Sequence, residues 1–473
     1  MGTENEPLPT DETAFRQQHT DTTNPVQPHT DTGAPVKQPA AAAARLQRMA
    51  PFDDEIQPVP GSNVARIYGI SDCVIAVAFT LFVVNIKLPP AGLSESQLQH
   101  FITHNILPDI PFYIATYLVV AVSWISHYRI FNHLKRSSSL FIMLNWLFLA
   151  SIVFLPVPVA FFYQYGNQAG VWQVFAATQV VTSTTLLLMW IVARVDHLLS
   201  SAVSPEYLKH VTARLFVIPL GALLSIGIAF YSVVFAEGVF LFSYVLVLFL
   251  RSIYDRRNRS EIYIKGTVRM CSITDNMTAV AITFLIASIT STYLSAPHQP
   301  FAATLSAVLA QLPMYGLSLL IVGFYWLSHH RIFMVIRRHN ITFIWLNFAF
   351  LLFIELQPIM NALHASYPNS QLTTLLYASV QALTGLMLLV IWIYAAQGHR
   401  LIEKEMDRQH IIFIALRALL TPMLLLLSIA IIFYRNDYAI SLWVLVIVVE
   451  VIDLIYRRVR HSPHSAVQTE ADI

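Results

Sequence analysis

"RIYGISDCVIAVAFTLFVVNIKLP", residues 66–89, is almost wholly apolar, yet it opens on an arginine and places an aspartate six positions further in. The chain says nearly the same again at 269–292, "RMCSITDNMTAVAITFLIASITST". As a helix, each stretch is long enough to cross a hydrocarbon layer about 30 Å thick. A carboxylate at such a depth is costly unless it is paired, solvated or protonated, so Asp72 and Asp275 are expected to face protein or water rather than lipid.

The flanking sequence continues in the same style. Of 473 residues 56% are hydrophobic and 12% charged, with a mean hydropathy of +0.58; a soluble domain carries about 25% charged residues. This composition indicates an integral membrane protein. Six apolar runs fall near 66–89, 111–131, 139–163, 171–193, 213–233 and 236–254. Six more follow near 269–292, 306–334, 341–361, 372–397, 411–434 and 437–456. The runs are continuous rather than alternating, which excludes a β-barrel. The expected fold is all-α: a polytopic membrane protein of twelve transmembrane helices.

Lysines and arginines test the topology independently. Arg129, Lys135 and Arg136 follow the second run, Arg194, Lys209 and Arg214 lie around the fourth-to-fifth connection, and Arg251 to Lys265 join the halves. Arg331, Arg337, Arg338, Arg400, Lys404, Arg408 and Arg457 to Arg460 repeat the pattern, while the opposite loops at 90–110, 164–170, 293–305 and 362–371 carry no Lys or Arg, Arg435 being the exception to the rule. Positive-inside bias then puts both termini in the cytoplasm.

The halves are copies: "WISHYRIF" at 124–131 matches "WLSHHRIF" at 326–333, and "LNW" at 144–146 matches "LNF" at 346–348, both at an offset of 202. Six spans per copy give the two copies the same orientation, so they are parallel repeats, with units at 61–258 and 259–460. Residues 1–60, rich in Thr, Pro, Gln and Asp with "HTDT" written twice, are expected to be a disordered cytoplasmic tail, and 461–473 a second, short one.

Helix geometry separates the charges from the rest of the first span. At about 100° and 1.5 Å per residue, Asp72 lies about 120° round from Arg66 and about 9 Å deeper. The two cannot pair along one helix, so each is expected to meet a neighbouring helix. Cys73, Val77, Thr80 and Val84 form a separate stripe, repeated as Asn276, Val280, Thr283 and Ala287 with Asp275 again set aside. If that stripe faces a pore, the acids are structural or gating elements rather than a filter. His127 and His329 are expected to make interhelical hydrogen bonds beneath Trp124 and Trp326. Glu355 has no counterpart, because Val153 stands in its place; a local feature and a charge on the lumenal side are both open readings.

The motif resembles that of the transmembrane protein 175 family of potassium channels, whose first span opens Arg-x-x-x-Phe-Ser-Asp. Here Arg66, Ser71 and Asp72, then Arg269, Thr274 and Asp275, occupy it, and the Trp-x-x-His-x-x-x-Phe pattern recurs as Trp124, His127 and Phe131, then Trp326, His329 and Phe333. The resemblance covers both six-span units, the form of the family that dimerises. It implies a potassium-permeable cation channel without a TVGYG filter, lined by the first helix of each repeat. Val77 and Val280 take the position of the apolar pore constriction, and Thr80 and Thr283 that of the threonine ring, with Val84, Ala287, Cys73 and Asn276 also pore-lining. An apolar ring can gate by dewetting and hydroxyls can replace part of an ion's hydration shell. Both motif phenylalanines are isoleucine here, Ile70 and Ile273, and valine at the constriction would widen it.

A secondary transporter with two parallel six-helix halves is the alternative; it expects acids at mid-membrane and broken spans, whereas the motif acids lie near the cytoplasmic end and glycine numbers 15 of 473. A non-conducting scaffold acting through its tail is a third reading. No nucleophile–base pair, phosphate-cradling glycine loop or metal-ligand spacing indicates an enzyme or a metal centre, and the two cysteines suggest no disulfide framework. Expected partners are the bilayer and a second copy of the chain, with no nucleic acid and no cofactor beyond the permeant potassium ion. The setting is a cell membrane or an endosomal or lysosomal one.

Overall fold

A computed structural model of the chain describes residues 63–90, 92–200, 203–258, 264–265, 267–294, 300–434 and 439–460; the two expected tails lie outside them.

Among the described residues, twelve membrane-length helical segments fall on the twelve apolar runs. In the first repeat they are α1 (Asn63–Val84), α3 (Asp109–Asn132), α4 with α5 (Ser139–Phe154 and Pro156–Tyr165), α6 (Ala169–Val195), α7 (Pro205–Ile228) and α8 (Val233–Asn258). A short helix α2 (Glu95–Phe101) precedes α3. In the second repeat they are α9 (Val268–Leu294), α10 (Phe301–Val335), α11 (Ile341–Ser366), α12 (Gln371–Ala396), α13 (Arg408–Ile432) and α14 (Ala439–Arg460). Ten of them contain a described stretch long and apolar enough to cross a membrane.

Local chemistry repeats with the helices. Ser138 caps α4 by accepting the Phe141 amide at 3.3 Å, and Asn340, its counterpart, caps α11 through the Phe343 amide at 3.0 Å. Such caps satisfy amides the first turn leaves open. The third span differs between copies. Pro156 and Pro158 come close together and the helix is interrupted at Leu155, whereas Pro358 is carried inside a single helix. Each proline removes one backbone donor and crowds the preceding turn, and two within three residues interrupt the hydrogen-bond ladder at Leu155, whose backbone stays right-handed helical, so that 139–165 remains one span.

The repeats meet through their first and third spans. Phe79 of α1 and Tyr117 of α3 pack on Phe348 of α11 with centroids 5.7 and 6.3 Å away, and Tyr117 Oη donates to the Phe348 carbonyl at 2.8 Å. Tyr128 and His339 share a hydrogen bond at 2.7 Å. At the other end, Ser370 Oγ donates to Glu95 at 2.9 Å and Tyr367 Oη to the Pro90 carbonyl. The loop expected at 90–110 thus carries α2, held down by the second repeat.

Candidate functional site at the first helices

Each repeat builds the same polar knot on its motif. In the first, Trp124 Nε1 donates to Asp72 Oδ1 at 2.8 Å, His127 Nε2 lies 2.9 Å from Asn145 Oδ1, and Asn145 Nδ2 donates to Ser71 Oγ at 3.1 Å. In the second, Trp326 donates to Asp275 at 2.7 Å, His329 lies 2.9 Å from Asn347, and Asn347 donates to Thr274 at 2.9 Å. Each histidine also lies against the phenylalanine one turn on, Phe131 at 4.3 Å and Phe333 at 3.9 Å. The asparagines tie the first, second and third spans together. Their trace in the sequence is a lone amide at the same place in two apolar runs.

The knots differ in what fills them. Arg269 of α9 enters the first: Nη2 lies 2.5 Å from Asp72 Oδ1, Nε 3.1 Å from Oδ2 and Nη2 3.3 Å from His127 Nδ1. With Nδ1 facing a guanidinium, its proton sits on Nε2 and is donated to Asn145. Four rings, of Tyr68, Trp124, Tyr128 and Phe131, lie 5.0 to 5.6 Å from the guanidinium carbon. Asp72 is fully buried and Arg269 is 6% exposed. Among the described residues no arginine enters the second knot: Asp275 is exposed, and so is Arg66, the residue equivalent to Arg269.

The residues of the stripe are distributed as follows. Cys73 is exposed and Val77 half-buried on α1; Asn276 and Val280 are half-buried and Thr283 exposed on α9. Thr80 is fully buried, its hydroxyl donating to the Ala76 carbonyl at 3.2 Å and facing Glu355 of α11. Val84 and Ala287 have side chains outside the described set. Glu355 is itself fully buried, against Thr80 and near Tyr113 and Tyr117. No cluster of three His, Cys, Asp or Glu side chains able to hold a metal occurs among the described residues.

Two six-helix copies coupled through their first helices define a repeated, polytopic helical membrane protein. The model of the family described as the endosomal/lysosomal potassium channel TMEM175 matches twice, at 66–156 and 269–358. The chain is thus similar to that family in each of its two repeats. It is 27% identical over 172 residues to a potassium channel of Streptomyces collinus, covering 35% of this chain and 82% of that one. It is 31% identical to a potassium channel of Chamaesiphon minutus over 22% of this chain and 51% of the other. It is 27% identical to the mouse endosomal/lysosomal proton channel TMEM175, over 34% of each chain. A crystal structure of a lysosomal potassium-selective channel TMEM175 homologue from Chamaesiphon minutus overlays on 40% of this chain and 96% of that one, at 24% identity and a TM-score of 0.34.

Proposed function

We propose that the protein is a potassium-permeable cation channel assembled from two copies, with four first helices around one axis. The observation that carries this is the unequal filling of two equal knots. The first repeat's acceptor, Asp72, takes Arg269 of the second repeat. The second repeat's acceptor, Asp275, and the first repeat's donor, Arg66, both stand exposed. A second copy related by a two-fold axis would bring its Arg66 to this Asp275 and receive the reverse contact, which closes the ring. The remaining surface agrees. Trp146, equivalent to the buried Phe348, is 53% exposed, and Trp326, equivalent to the buried Trp124, is 36% exposed. Ile70 is 45% exposed where its counterpart Ile273 is fully buried.

In that ring the axis is faced by positions left at least partly open in both repeats: Cys73 with Asn276, then Val77 with Val280. Valines at the narrowest point would form the apolar constriction, and Thr80 and Thr283 would stand beside it, with Val84 and Ala287 beyond; no TVGYG filter occurs in the sequence. The functional units are then 61–258 and 259–460, with both termini cytoplasmic in a cell, endosomal or lysosomal membrane. The full chain reconstituted in liposomes should pass potassium down a gradient; no flux above protein-free vesicles overturns the reading, and saturable flux coupled to a second ion would make the protein a secondary transporter instead.

A further inference from the structure

At the Lys/Arg-rich end of each repeat, the turn after the second span bridges to the turn after the fourth. The Lys135 amide donates to the Leu198 carbonyl at 2.9 Å and Leu134 bridges to Leu199. In the second repeat the Arg337 amide donates to the Leu401 carbonyl at 2.9 Å and Ile336 bridges to Ile402. Lys135 therefore corresponds to Arg337, and Ser200 to Glu403. Glu403 neutralises Arg337 across 2.6 Å, both being exposed. Arg338 Nε donates to the Arg400 carbonyl at 2.9 Å, and Arg400 lies 4.7 Å from the centre of the Tyr394 ring. The first repeat has a serine where that carboxylate would be, and among the described residues neither Lys135 nor Arg136 has an ion-pair partner.

Those two cations, with Arg194, His197 and Ser200, line a cavity of about 890 Å³. Arg194 is oriented by its hydrogen bond to Thr212 Oγ1 at 2.9 Å. The nearby acid, Asp196, is engaged by the Ser138 hydroxyl at 3.0 Å. His133, at the start of the same turn, adds no charge near neutrality, because burial and the neighbouring Arg129 lower it to about 4. One wall is apolar and open to the outside: Ile191 and Val195, on the last turns of α6, are 38% and 68% exposed. Two exposed cations and one oriented arginine beside an exposed apolar wall at the end of a membrane helix complement a phosphate joined to a hydrocarbon chain.

We propose that this cavity is a binding site for the phosphorylated headgroup of an anionic phospholipid, unique to the first repeat because Ser200 replaces the acid that occupies the second. The full chain, purified in detergent, is titrated with a fluorescent short-chain phosphatidylinositol bisphosphate, with inositol trisphosphate and inorganic phosphate as competitors. Each removed cation should weaken binding about fivefold, so the Lys135→Gln, Arg136→Gln double variant should lose about twenty-five-fold. Ser200→Glu, which installs the second repeat's arrangement, should lose about fivefold, and Arg337→Gln should bind as wild type. Absence of lipid binding, or equal losses on substituting either repeat, overturns the site. Displacement by inositol trisphosphate at the lipid's own affinity overturns the lipid assignment, since the apolar wall would then contribute nothing.

Discussion

The two motif copies share their hydrogen bonds to within a few tenths of an ångström, yet one is sealed and the other open. Asp72 is enclosed with a guanidinium; Asp275 makes the same bond to its tryptophan and is exposed. The lesson is that the motif is not self-sufficient. Each repeat builds an acceptor from three of its own helices, and in the first it is an arginine of the other repeat, Arg269, that completes the knot; the proposed dimer would complete the second in the same way with Arg66. A buried pair of this kind adds little net stability over an apolar replacement, but removing one partner strands the other's charge.

That asymmetry is easiest to break at the arginines. Arg269→Ala leaves Asp72 buried without its cation and should destabilise the fold by about 3–5 kcal/mol, read as a drop in the thermal midpoint in detergent. Arg66→Ala touches an exposed side chain and should change protomer stability by no more than about 0.5 kcal/mol, while abolishing the dimer in light scattering. Equal midpoint losses from both would mean the two knots are not as different as their burial indicates.

Hydrogen bonds to the acids come next. Trp124→Phe removes the indole donor from fully buried Asp72, and a bond to a charged group is worth about 1.5–3 kcal/mol. The same change at Trp326, whose acceptor is exposed to water, should cost less than about 1 kcal/mol in a monomeric protomer and approach the Trp124 value once the dimer forms. A concentration series of thermal melts on Trp326→Phe separates the two states.

Much of this was legible in the residues. The apolar runs follow from transfer energetics that act on every span alike, and the twelve described helical spans fall on them. Separating Arg66 from Asp72 followed from helical rotation alone. That Arg269 meets Asp72, with Arg66 left outside, was not legible, because it depends on which face of α1 the second repeat covers. Asn145 and Asn347 were hidden for another reason: one amide in an apolar run is also compatible with a simple kink or a satisfied core residue. Glu355 was visible as an odd acid, but only packing places it against Thr80. The break at Leu155 escaped because Pro358, at the equivalent place, interrupts nothing.

Exchanging the charges sharpens the dimer reading. Arg66→Asp alone and Asp275→Arg alone should each leave monomers, through repulsion at the contact. Combined in one chain they restore opposite charges across the two-fold contact, and the dimer should return at least in part. If the double variant stays as monomeric as the singles, Arg66 and Asp275 do not meet.

The smallest effect, and the most discriminating for the pore, concerns the threonines. Thr80 and Thr283 stand at equivalent positions, but in one chain Thr80 is closed in with Glu355 while Thr283 is exposed. Valine keeps the shape of threonine and removes the hydroxyl, so the fold is little disturbed and the readout is permeation. If both hydroxyls reach the ion, Thr80→Val and Thr283→Val should shift the potassium-to-sodium permeability ratio by similar factors of about two to ten, since each removes one of the oxygens that replace hydration. If only Thr283→Val shifts it, Thr80 instead serves the seam between the repeats, where its neighbour is a buried carboxyl; Glu355→Gln would then alter conduction by way of that seam, and the narrowest part of the pore would be assigned to Val77 and Val280 alone. Reversal potentials in mixed potassium and sodium, measured on the two single variants side by side, decide between these arrangements.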